Sequence, residues 1–198
     1  LSSIISLYGK TLPRVVLREH YRCHPQIIEF CNQKYYNGDL IPYTSPTLSQ
    51  MPLVLYKTVE GNHMRKVTRG KEKGTYNQRE LDVIVEEVLN NPDLAADSSK
   101  IGFVTPYRKQ ANTAGRQLPK GIESDTEHKY QGREKDLMIL STVLDNSWMG
   151  QRGLEFVDDP HMVNVAVSRA VRQFVLNRGR NLELKNETLQ IPISFSIS

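Results

Sequence analysis

The sequence predicts an α/β fold, a mainly parallel sheet with helices on both faces. Three observations carry this. Leu137 to Val143 is an apolar run that follows charged residues and contains no proline, the mark of a strand buried on both faces. Asn77 to Asn90 places Leu81, Ile84, Val85, Val88 and Leu89 at helical spacing and closes on Asn-Asn-Pro, so it reads as an amphipathic helix. Strand-like and helix-like stretches then alternate without hairpin turns, which makes the helices crossovers between parallel strands.

In chain order, Val15 to Leu17 is a short apolar piece leading to Tyr21 and Arg22. Pro25 suits the first turn of a helix whose apolar face is Ile27, Ile28, Phe30 and Cys31. Prolines 42, 46 and 52 punctuate a loop, and Leu53 to Tyr56 follows as a strand. Asn62 to Gly74 holds six basic residues, His63 included, against the single acid Glu72. It reads as a solvated loop or as a nucleic-acid contact. Ile101 to Val104 is a buried strand, and Pro106 opens a helix that continues through Gln110 to Leu118. Ile122 to Asp125 is a short strand, and Asp145 to Asp159 a polar loop with two glycines. Pro160 or His161 starts a helix carrying Met162, Val163, Val165, Ala166 and Val167, and Phe174 to Leu176 closes the core as a strand. Pro192 to Ser198 reads as a loose or edge segment.

With 198 residues, 38% hydrophobic and 24% charged, the chain has ample material for one domain with its own core. No apolar run approaches the roughly 20 residues that span a bilayer. The chain begins at Leu1 without a basic leader, which suggests an excised fragment. A net charge of +4 and pI near 9.0 permit a nucleic-acid partner without requiring one. Cys23 and Cys31 fall on one predicted helix about 12 Å apart, too far for a disulfide. They match no metal-ligand spacing with His24. Reduced thiols and a cytoplasmic protein are the expectation.

Running into the strand Leu137 to Val143 is Glu123-Ser-Asp-Thr-Glu-His-Lys-Tyr-Gln-Gly-Arg-Glu-Lys-Asp136, a charged loop against a buried scaffold. Such loops are where phosphate or nucleic-acid sites are built. Thr126-x-His128-x-Tyr130-Gln131-Gly132-Arg133-Glu134-Lys135-Asp136, with the strand after it, resembles motif V of superfamily 1 DNA/RNA helicases, in the Dna-two and nonsense-mediated-decay branch. Leu17-x-Glu19-x-Tyr21-Arg22-x-His24-Pro25-x-Ile27-Ile28 is similar to the tyrosine-arginine motif that opens the second motor domain. Ile101 to Tyr107 with Gln110 resembles motif IV, and Val163-Asn-Val-Ala-Val-Ser-Arg-Ala170 resembles motif VI. Four motifs in the right order are a specific signal, where any one alone is weak.

The resemblance implies a C-terminal RecA-like domain over residues 12–180, after a linker remnant at 1–11 and before an extension at 181–198. It implies ATP as cofactor, with Mg2+ held by an N-terminal RecA-like partner domain of the same protein. Gly9-Lys10-Thr11 mimics the end of a phosphate loop, but Ile4 stands where that pattern needs glycine, so this stretch alone is expected to be inactive. Negative charge building on a transferred phosphoryl group is best met by guanidinium, and the resemblance gives Arg22 and Arg169 this finger role. It sets Arg169 within a helix beside small Ala166 and Ser168, which would let a partner domain come close.

Glu134 is assigned to the nucleotide sugar, Gly132 to close backbone approach, and Gln131 to coupling nucleotide with nucleic acid. Thr105, Tyr107, Thr126 and His128 follow predicted strands and are assigned to single-stranded DNA or RNA through phosphate contacts that carry no sequence information. Tyr107 would stack a base or brace a helix start, and His128 has a purely local hydrogen-bonding alternative. Leu176-Asn-Arg-Gly179 departs from the family's aliphatic strand ending. The rival class is a nucleic-acid-binding or partner-docking module of the same fold without turnover; intact Arg22, Glu134 and Arg169 speak against it.

Overall fold

The computed structural model describes residues 17–46, 51–94, 97–126, 133–179 and 195–197. Six strands form one parallel sheet: β3 (Leu53–Lys57), β6 (Ile101–Thr105), β7 (Glu123–Thr126), β8 (Lys135–Ser141), β9 (Ala170–Arg178) and β10 (Phe195–Ile197). Their order across the sheet is β10-β3-β9-β8-β6-β7, every neighbour parallel. The segment read as loose or edge thus supplies the edge strand β10. Two-residue strands β1 (Glu19–His20) and β2 (Ile41–Pro42) pair beside the sheet.

Continuous apolar strands bury both faces, and the alternation of side chains sorts them. Leu53, Leu55, Val104, Met138, Leu140, Phe174 and Leu176 meet α1 (Pro25–Tyr35) and α6 (Pro160–Ser168) on one face. Val54, Tyr56, Ile101, Phe103, Leu137, Ile139 and Val175 meet α2 (Gln78–Val83, continued by a π-helical turn Ile84–Val88) and α3 (Arg108–Gln117) on the other. Phe174 is fully buried, so truncation to alanine costs about 3–5 kcal/mol.

Helix ends follow their capping residues. α1 starts at Pro25, with the His24 ring accepting from the Gln26 amide. Cys23 therefore precedes the helix that was predicted to contain it. α6 is capped by Asp159 on the Met162 amide, with Pro160 in its first turn. α3 begins at Arg108, not Pro106, because Tyr107 is still extended and its amide donates to Thr105 Oγ1 at 3.4 Å. In α2 the π-turn admits one extra residue, which carries Val85 off the apolar face into solvent.

Two loop readings are corrected. Asp145 to Asp159 contains short helices α4 (Trp148–Arg152) and α5 (Leu154–Val157), with Ser147 accepting from the Gly150 amide as N-cap. Asn62 to Gly74 enters a hairpin of β4 (Met64–Val67) and β5 (Gly74–Asn77), contrary to the expected lack of hairpins. Its sparse apolar content hid it from periodicity. β8 ends at Ser141, two residues short of the predicted Val143, because Val143 turns to φ 71° and gives its amide to Glu80.

Candidate nucleotide and nucleic-acid sites

The N-terminal ends of β8 and β9 form one edge of the sheet, and the segments carrying Arg22, Glu134 and Arg169 are stitched together there. The Lys135 amide donates to the Arg169 carbonyl at 3.2 Å, and the His24 amide donates to the Val171 carbonyl at 2.7 Å. The Cys23 thiol donates to the Ser168 carbonyl at 3.3 Å. Arg22 Nε then meets Glu134 Oε1 at 2.8 Å, with side chains 44% and 37% exposed. Arg169 is the C-cap of α6 and half-buried; its Nε is buried and has no hydrogen-bond partner among the described residues. Ala166 points into the core, so it opens no surface for a partner.

An open cleft of about 550 Å³ is lined here by Glu19, His20, Tyr21, Arg22, Glu134 and Val171. The Tyr21 ring stacks on Tyr43, centroids 5.0 Å apart, and its hydroxyl donates to Glu19 at 2.6 Å. His20 accepts from the Cys23 amide through Nε2, which requires that nitrogen unprotonated. Burial, then Arg22, lowers the His20 pKa, while Glu134 opposes the shift. Burial pushes the Cys23 thiol up to about 12 against the pull of Arg22 and Arg169. A smaller cavity of about 140 Å³ on the same edge is lined by Lys100, Asp136 and Arg172, among others. There Asp136 lies 3.6 Å from Lys100 and 3.9 Å from Arg172, so those charges are already balanced.

Thr105, Tyr107 and Thr126 gather at the opposite edge, where Thr105 and Thr126 are partners across β6 and β7. Five residues of β6 at about 3.3 Å each put this cluster roughly 15 Å from the arginine edge. Thr105 is fully buried and its hydroxyl serves the Tyr107 amide, so it braces the turn instead of presenting a ligand contact. Thr126 is also buried and accepts from Arg108, whose guanidinium pairs with Asp125 at 2.9 Å. Tyr107 is half-buried with its ring edge on Phe156, and desolvation raises its hydroxyl to about 12. Gln131, Gly132 and His128 lie outside the described residues.

Sequence reasoning missed a buried polar hub beneath this edge. Glu80 is wholly buried and accepts from Ser141 at 2.6 Å, the Val143 amide at 3.0 Å and Thr142 at 3.2 Å. Gln110 bridges Ser141 to the backbone of Asn77, whose side chain caps α2 on the Glu80 amide. Asn at an N-cap with Glu three residues on was the available signal.

A parallel sheet covered on both faces, with this strand order, is the RecA-like architecture of helicase motor domains. The AAA domain family profile matches residues 2–177, so the chain belongs to that family and is a C-terminal RecA-like domain of the superfamily 1 helicases. It is 27% identical to the Saccharomyces cerevisiae DNA polymerase alpha-associated DNA helicase A over 87% of the chain, and 29% identical to Helicase sen1 of Schizosaccharomyces pombe over 88%. The chain spans only 29% and 11% of those relatives' lengths. The C-terminal domain of a possible DNA helicase from Lactobacillus plantarum superposes with TM-score 0.53 at 13% identity, covering 86% of this chain and 93% of that one. That likeness is one of fold.

Proposed function

We propose that this chain is the second motor domain of an ATP-dependent helicase or translocase, acting on single-stranded DNA or RNA in the cytoplasm. Its arginines work across a cleft on a nucleotide held by an N-terminal RecA-like domain. The observation that carries the reading is the Arg22–Glu134 ion pair on the open cleft, with the backbone of Arg169 hydrogen-bonded to the start of β8 next to it. The half-exposed Arg22 guanidinium on that cleft fits an anionic group arriving from outside the chain.

ATP with Mg2+ would supply a phosphoryl group that gathers negative charge on transfer. Arg169, at the end of α6, and Arg22, held by Glu134, are the residues that would meet that charge. Glu134 keeps its second oxygen for a sugar hydroxyl, and the motif resemblance assigns Gln131 and Gly132, outside the described residues, to the same nucleotide. Because the arginines reach the nucleotide only when the domains close, hydrolysis is coupled to movement along the strand.

Tyr107, with Thr126 near it, borders the strand at the far edge, and Thr105 holds the turn; the resemblance adds His128, which lies outside the described residues. The test is ATP hydrolysis by the intact protein with and without a single-stranded oligonucleotide. Stimulation by the oligonucleotide, lost in Arg22→Ala, is expected. Oligonucleotide binding without turnover in a protein with an intact phosphate loop would favour the non-catalytic module.

A further inference from the structure

The far edge carries a surface that the four motifs leave unused. Arg65, Lys66, Arg69, Lys71 and Lys73 of the hairpin region are all exposed, and none pairs with a carboxylate among the described residues. The one acid there, Glu72, is turned away, toward Lys109 at 3.4 Å and Arg116 of α3. Lys109 also lies 5.1 Å over the Tyr76 ring, and Gly74, at φ 146°, comes so near that an added Cβ would stand 2.8 Å from Lys109 Cβ. The hairpin is thus fastened to α3 by its acid and its glycine, which leaves its cations exposed, Arg65 donating to the carbonyls of Asn62 and Met64.

On the same edge stands an exposed aromatic surface. Trp148 is 71% exposed, with Arg152 against its ring at 4.7 Å, and Phe156 is 53% exposed next to Tyr107. One buried carboxylate fixes the two features together: Asp145 accepts from the Met64 amide at the hairpin base, 2.7 Å, and from the Ser147 amide at the start of α4, 3.0 Å. An exposed indole on the same edge as five cations without a carboxylate partner among the described residues is a pairing that single strands use. Bases stack on the ring without regard to sequence, and phosphates displace counterions from the cations.

We infer that Trp148 and the β4–β5 hairpin form a second contact for single-stranded nucleic acid. Bases stack on the indole and phosphates lie on the hairpin. The inference rests on the nucleic-acid reading above and extends the path beyond Tyr107.

Trp148 is the only tryptophan in the chain, so its emission reports stacking directly. The chain is titrated with a labelled oligothymidine and a labelled oligouridine, reading oligonucleotide anisotropy and tryptophan emission together. Binding with quenched emission is expected. Trp148→Ala should weaken it about tenfold and Trp148→Phe far less. Arg69→Ala with Lys71→Ala should lower the log–log salt slope by about 0.7 for each cation removed. Binding with unquenched emission, and with hairpin variants equal to the parent, overturns this contact but leaves the proposed function standing. The same holds if Trp148 is protected only by a protein partner. No oligonucleotide binding at all overturns both.

Discussion

Arg22 Nε lies 2.8 Å from Glu134 Oε1, joining the turn before α1 to the loop before β8. Both ends remain substantially in water, so the pair contributes at most about 1 kcal/mol to folding. Its value is orientation: the carboxylate holds the guanidinium toward the open cleft.

Glu134→Gln should therefore leave thermal stability nearly unchanged while weakening nucleotide binding by the intact protein about tenfold, one charged hydrogen bond's worth. A fluorescent-nucleotide titration reads this. Unchanged affinity would remove Glu134 from the nucleotide site.

Glu80 gives a pH dependence of stability. Burial raises its carboxyl from 4.5 to about 8, against hydrogen bonds from Ser141, Val143 and Thr142 that pull it down. A carboxyl raised on folding holds a proton that the unfolded chain releases. Its contribution is full below about pH 4.5 and falls as pH climbs toward 8. Urea midpoints of the parent should decline across that window relative to Glu80→Gln, which has no proton to lose. Parallel profiles for the two proteins would show that Glu80 is ionised throughout.

Cys23 and Cys31 are both free and buried, and burial raises both thiols. Neither should react with a thiol reagent at pH 8 until the protein unfolds. Mass spectrometry after brief alkylation checks this; rapid modification of the folded chain would mean that the α1 side of the core opens easily.

The parallel sheet and both of its helix layers were legible because the strands Leu53–Lys57, Ile101–Thr105 and Lys135–Ser141 are apolar on both faces and no other arrangement hides them. The convergence of the segments carrying Arg22, Glu134 and Arg169 was legible only through the motif resemblance, since no periodicity links residues so far apart. The β4–β5 hairpin was not legible: Arg65 and Lys66 give it no apolar alternation, and it is held by tertiary contacts of Asp145 and Glu72. The surroundings of Thr105 were hidden for a related reason. Its position after a strand is right, but burial and the Tyr107 amide claim the hydroxyl.

The proposed nucleotide site is tested most directly by Arg169→Ala in the intact protein, with turnover and nucleotide affinity measured side by side. An arginine that acts on charge developing during transfer should cost turnover a factor on the order of 1,000 and affinity far less. Collapsed affinity with normal turnover per bound nucleotide would contradict the finger role and make Arg169 a ground-state contact.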